Sequence, residues 1–172
     1  MIKRALLSTL LTFPLLSTIA IAEEQVSTLM WSKMKADGQL DTGEVVPASK
    51  GSGTNSEEEL FIANETTMPL TVRLATIEPT GITRHFYKVR GEIRYEGVQQ
   101  SGYLEMWNQF ADGSRYFSRT LGGSGPMGTI HGTSTARDFI LPFQSDAQIG
   151  PPLRLEINLV LPAQGKVWIG PL

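Results

Sequence analysis

Tyr103, Glu105, Trp107 and Gln109 occupy every second position of one stretch, GYLEMWNQFADGSRYFSRTL, from Gly102 to Leu121. Side chains alternate along a β-strand, so these four share a face. Leu104, Met106 and Phe110 share the opposite, core-type face, which Asn108 interrupts. Aromatic faces pack against the apolar C–H faces of sugar rings, which makes Trp107 with Tyr103 a candidate stacking platform. Glu105, Gln109, Arg94 and Asn158 are candidates for the few convergent polar groups that orient a ligand. The same residues also fit a structural face, with Trp107 packed beneath a loop and Arg–Glu pairs formed across strands.

Other chemistry has weaker support. Glu92 and Glu105 are the candidate carboxylate pair of a glycosidase. Arg neighbours would depress their pKa values, which suits a salt bridge better than a general acid. No catalytic residue, and so no enzyme activity, is expected. His85 and His131 are the only histidines and there is no Cys, so the usual zinc ligand sets cannot form and no metal site is expected. Ser118 lacks the G-x-S-x-G context of a nucleophile elbow. Gly122-Gly123-Ser124-Gly125 lacks the Gly-Lys-Ser/Thr of a phosphate loop and reads as a flexible connection. Asn64-Glu65-Thr66 matches the glycosylation acceptor pattern, which is frequent by chance.

The elements that must position these groups are strands. Asp112-Gly113 predicts a tight hairpin turn within the stretch described above. From His85 to Val98 the chain alternates, with Tyr87, Val89, Gly91, Ile93 and Tyr95 on one face and Lys88, Arg90, Glu92, Arg94 and Glu96 on the other. Leu153, Leu155, Ile157, Leu159 and Leu161 are expected inward, with Arg154, Glu156 and Asn158 outward. Phe139, Leu141 and Phe143 share a face. Leu60–Asn64, Leu70–Ile77 and Lys166–Ile169 complete the strand signals, with turns at Pro79-Thr80-Gly81 and Ala163-Gln164-Gly165. Before them, Val26, Met30 and Met34 have helical spacing, while Val26–Trp31 reads equally as a strand; Asp37-Gly38 ends either. Asp41–Glu59, with its PASKGSGTNSEEE run, reads as a solvated loop carrying a short apolar Val45-Val46. Eight or nine strands with turns between them predict an all-β, antiparallel two-sheet sandwich.

The chain opens with Met1-Ile2-Lys3-Arg4, an apolar run from Ala5 to Ile21, and the small-x-small sequence Ala20-Ile21-Ala22. This is the pattern of a signal peptide, residues 1–22, cleaved before Glu23. The alternative is an uncleaved anchor, which Ser, Thr and Pro14 within the run disfavour. Residues 23–59 are then an N-terminal segment and flexible loop packing on a sandwich domain of residues 60–172. Cleavage would remove Lys3 and Arg4, leaving 13 basic against 17 acidic residues, a net charge of about −4. No basic footprint of a nucleic-acid binder is present. Export implies a secreted or periplasmic protein with no membrane span once the signal is removed.

From Tyr87 onward the chain resembles the jelly-roll modules grouped as galactose-binding-like or carbohydrate-binding-module-like. The residues that carry the likeness are Tyr87-Lys88-Val89-Arg90-Gly91-Glu92-Ile93-Arg94-Tyr95-Glu96, Gly102-Tyr103-Leu104-Glu105-Met106, Gly132-Thr133-Ser134 and Gly165-Lys166-Val167-Trp168-Ile169. They are similar to a "Y-x-L-x-G-x-V-R" strand, a hairpin, a "G-T-S-x-W" strand entry and a closing "G-T-V-W" strand. Tyr103–Arg119 and Leu161–Leu172 also look like a group of bacterial secreted or membrane-tethered proteins. The Trp expected after Gly-Thr-Ser is replaced near Ala136. The closing strand lacks the following Asp that commonly helps hold a structural calcium, so calcium is in doubt and no cofactor is expected. The resemblance covers roughly half the chain and implies a fold more than an activity. The first functional reading is a non-catalytic binding module for a carbohydrate or other polymer. The alternative is a structural or protein-interaction domain partnering an envelope protein through an apolar patch or sheet edge. A glycoside-active enzyme is the distant third reading.

Overall fold

In the computed structural model, residues 25, 27–49, 54–78, 82–146 and 148–172 are described. The expected signal peptide, the Pro79-Thr80-Gly81 turn and part of the 41–59 loop lie outside them. Among the described residues one short helix, α1 (Trp31–Ala36), precedes eight strands. These are β1 (Glu44–Pro47), β2 (Glu58–Asn64), β3 (Leu70–Ile77), β4 (Phe86–Gln109), β5 (Arg115–Arg119), β6 (Ile130–Gln144), β7 (Arg154–Leu161) and β8 (Gly165–Ile169).

All pairings are antiparallel. One sheet runs β1-β2-β8-β4-β6 and the other β3-β7-β4-β5, with β4 common to both. The all-β sandwich expected from strand spacing is therefore present. Its hinge is a single 24-residue strand where alternation indicated two. Up to Glu96, β4 pairs with β6 and β8; from Tyr103 it pairs with β7 and β5. Between these halves the register with β6 slips at Ile93/Tyr95, Tyr95/Val98 and Val98/Gly102. Extra residues of this kind bend a strand and shift its alternation. Ile93 and Tyr95 thus face the core from the first sheet, and Leu104 and Met106 from the second. Gly102 sits where the main chain of β7 passes closest: a Cβ there would meet Val160 O at 2.6 Å.

The core expected from alternation (Ile93, Tyr95, Leu104, Met106, Leu155, Ile157 and Leu159) is buried, joined by Leu60, Leu74, Phe139, Leu141, Val167 and Ile169. Leu153 departs from its expected inward position. It precedes β7 and is 61% exposed. Asn108 interrupts the apolar face yet is fully buried, because its amide is used at both ends: Tyr87 Oη donates to Oδ1 (3.0 Å), and Nδ2 donates to Tyr116 O (3.2 Å). Around it Tyr87, Phe110, Tyr116 and Phe143 stack into an aromatic plug at one end of the sandwich. Burial raises the pKa of the Tyr87 phenol, which keeps it a donor.

Among the described residues, which do not include Val26, the helix-or-strand ambiguity resolves as a short helix with no strand before it. Leu29 exchanges main-chain hydrogen bonds with Leu172 (2.7 and 3.1 Å), and the chain then turns into α1. The buried face of α1 is Trp31 with Met34, rather than Met30 with Met34; Trp31 Nε1 donates to Ile169 O at 2.8 Å. The segment read as a solvated loop contributes β1 and the first two residues of β2, Glu58 and Glu59.

Candidate functional site

The outer face of the second sheet is a grid set by strand register. One cross-strand row runs Arg73 (β3), Asn158 (β7), Glu105 (β4), Arg119 (β5). The next runs Glu156, Trp107, Phe117, and the next Arg154, Gln109, Arg115. The β4–β5 hairpin closes through Phe110–Ser114. There Gly113 takes a left-handed conformation (φ 85°), and Asp112 accepts from the Ser114 amide and hydroxyl, which holds its carboxyl below the usual range.

Glu105 is the keystone of the grid. It is 6% exposed and has three donors. Oε1 accepts from Trp107 Nε1 (2.5 Å) and Asn158 Nδ2 (3.3 Å), and Oε2 accepts from Arg119 Nε (2.6 Å). The Arg119 guanidinium lies 4.2 Å from the Phe117 ring centre and 5.3 Å from that of Tyr103. Trp107 meets Phe117 edge-on at 5.2 Å, and the Arg115 guanidinium stands 5.0 Å over the Trp107 ring. Cations over aromatic faces are attracted by the ring quadrupole. The result is an alternating ladder of rings and guanidiniums anchored on one buried carboxylate, with Phe117 50% exposed at its outer edge.

Of the six residues singled out from sequence, Tyr103, Glu105, Trp107, Gln109 and Asn158 lie together on this face. Arg94 does not. It belongs to the half of β4 in the first sheet, where its Nε and Nη2 grip Glu59 (2.7 to 3.1 Å) and its guanidinium caps Trp168 at 4.0 Å. Phe61 packs on Trp168 at 4.9 Å. Sequence reasoning grouped Arg94 with Glu105 because both alternate outward, but the register slips in β4 send them to the outer faces of different sheets. Glu92 and Glu105 are separated in the same way and do not form a carboxylate pair. Burial works to raise the Glu92 pKa but is outweighed by hydrogen bonds from Thr54, Asn55 and Ser56, which hold it below the ordinary glutamate value.

Arg115, Phe117 and Arg119 are the residues of this face that sequence reasoning passed over. Their signal was the alternation R-x-F-x-R within RYFSR, legible once the hairpin register is known. Asn64 is buried and occupied: its Nδ2 donates to Met68 O and Ala163 O, and its Oδ1 accepts from Thr66. The acceptor pattern there shapes a turn. His85 approaches Ser145 Oγ at 3.4 Å, and His131 is exposed. Among the described residues no three His, Cys, Asp or Glu side chains converge as metal ligands, and no helix is long and apolar enough to cross a membrane.

No protein-family model matches the sequence. No curated protein matches it either. Among solved structures, the chain is similar to the enzymatically active domain of bacteriophage CBA120 tailspike protein 4, with TM-score 0.46 and 15% identity over 77% of this chain. It spans 17% of that tailspike chain. It is similar to TmCBM61, solved with beta-1,4-galactotriose, with TM-score 0.47, 11% identity, and coverage of 78% of this chain and 88% of that one. A third likeness is to infectious bursal disease virus, Gt strain, with TM-score 0.42, 13% identity, and coverage of 77% and 32%. These likenesses are in strand arrangement and do not bear on what this chain binds or does.

Proposed function

We propose that this chain is a secreted, non-catalytic module that binds a carbohydrate polymer on the outer face of β4 and β5. The observation that carries the reading is the aromatic ladder: Trp107 held in place by Glu105, with half-exposed Phe117 beside it. A preorganised ring surrounded by amides and guanidiniums offers a sugar both stacking and hydrogen bonds. In this reading Glu105 and Asn158 position the ladder from below, and Trp107, Phe117, Tyr103 and Gln109 meet the ligand. A glycan array of the full chain tests it. Phe117→Ala should remove most binding with little change in melting temperature. Unchanged binding in that variant would sink the proposal. Export is tested separately: N-terminal sequencing of protein exported from a bacterial host should begin at Glu23, and protein retained with Met1 in the membrane fraction would refute cleavage.

The edge strand β5 supports a second reading, contact with an envelope protein. Phe110 N donates to Ser114 O and Thr120 N to Leu104 O. Hydrogen-bonded positions alternate in an antiparallel ladder, so the main-chain groups of Arg115 and Phe117 turn away from β4. Among the described residues β5 pairs with β4 alone. An extended segment of another protein could add there. Replacing Phe117 with Pro, which removes the outward amide donor, would abolish such a contact.

A further inference from the structure

On the open face the Arg154–Gln109–Arg115 row differs from the row that runs from Arg73 to Arg119. Arg73, Arg94 and Arg119 each hold a carboxylate. Arg115 and Arg154 form no ion pair among the described residues. Arg115 is exposed and packed over Trp107. Arg154 has a buried Nε without a hydrogen bond, and its Nη2 lies 3.4 Å from Thr76 Oγ1. The two flank Gln109 on the strands either side of it, so their main chains are about 10 Å apart; Arg154 leans toward Thr76 on β3 and Arg115 toward Trp107.

We infer that this row selects anionic sugars of the uronate class, an inference that rests on the carbohydrate reading of the same face. The guanidinium fork matches a carboxylate with two parallel donors. Arg115 already stands over Trp107, so a sugar ring against the Trp107–Phe117 pair would carry its carboxylate to the cation. Gln109 lies between the two arginines with a donor and an acceptor for a ring hydroxyl. Three acids meet the face: Glu105, Glu156 and Asp41, which pairs with Arg73. Glu105 is neutralised by Arg119. Glu156 takes a hydrogen bond from Asn158 (3.4 Å) and leaves a local surplus of one cation. The whole chain carries a formal charge of −2. The net charge offers polyanions no general attraction, so a preference for them requires a local cluster of cations such as this row.

The test measures binding of the full chain to polygalacturonate, to the same polymer with its carboxylates methyl-esterified, and to poly-L-glutamate. Polygalacturonate is expected to bind at least about tenfold more tightly than its ester, the scale of one charge-assisted contact. That preference should shrink with added salt and disappear in Arg115→Gln, whose melting temperature should match the parent. Equal binding of acid and ester would overturn the anionic preference while leaving the carbohydrate reading intact. Poly-L-glutamate binding as tightly as polygalacturonate would overturn it as well, because the sugar ring would then contribute nothing. Binding to none of the three also overturns it, and the glycan array then decides the carbohydrate reading separately.

Discussion

The two outer faces of the sandwich carry nearly the same set of groups. On the first sheet Glu59, Arg94, Trp168 and Phe61 form a carboxylate, a guanidinium and two rings in contact. On the second, Glu105, Arg119, Trp107 and Phe117 repeat the set. What differs is the cover. Over the first face the N-terminal segment lies close: Ser49 Oγ sits 3.5 Å from Arg94, Thr54 and Asn55 bind Glu92, and β1 pairs with β2. The described N-terminal segment reaches the second face only at its β3 edge, where Asp41 pairs with Arg73 and both stay nearly half exposed, and Arg119 is twice as exposed as Arg94 (30% against 15%). Closely similar chemistry thus closes a structure where a segment covers it and stays open where the cover is slight. Residue type alone does not distinguish the two.

Substitutions can break this comparison, beginning with the covered face. Glu59→Ala leaves the Arg94 guanidinium without its partner in a closed setting and should destabilise by about 3–5 kcal/mol, read by urea unfolding. Glu105→Ala strands three donors, but water reaches Arg119, so about 1–3 kcal/mol is expected. If the second loss equalled the first, the open face would be as closed as its counterpart. Phe117→Ala is expected to change stability by less than about 1 kcal/mol while removing polymer binding. A larger loss would make Phe117 a packing residue.

Acidity sharpens the contrast by a smaller effect. The Glu92 pKa is held below its unfolded value, so its contribution is present above about pH 4.3 and is lost as pH falls through the folded value. Glu92→Gln should flatten the acid limb of the stability profile below that pH and leave the neutral region less stable. A parallel shift at all pH values would mean that the carboxylate does not report on the Thr54–Asn55 clasp.

Much of this architecture was legible in the sequence, because alternation reports local geometry faithfully. Leu155, Ile157 and Leu159, and the Leu104–Met106 pair, fell inward as their period required. Asn108 and Leu153 did not follow the pattern. One found partners on other elements, Tyr87 and the Tyr116 carbonyl; the other lies just before β7 begins. The face grouping failed at Arg94 because register slips reset the period inside β4, and nothing between Glu96 and Gly102 marks them except Gly97 and Gly102 themselves. The roof over Glu59 reads as solvated loop in the sequence because its polar composition is that of a loop. Its order comes from bonds to Glu92 and Arg94, far along the chain. The RYFSR ladder shows the converse: its pattern was local, but its meaning needed the hairpin register.

The single strand that joins the two sheets also sets the order in which the molecule can form. Of the pairings made by β1 through β4, only β1 with β2 is complete within the first 109 residues. β3 waits for β7, β2 waits for β8, and β4 waits for four later strands. Pairings of such separation close slowly, because each must fix a long loop before any contact rewards it. A ribosome extending this chain therefore releases an open thread through most of synthesis, and assembly completes only when the last strand slots between β2 and β4.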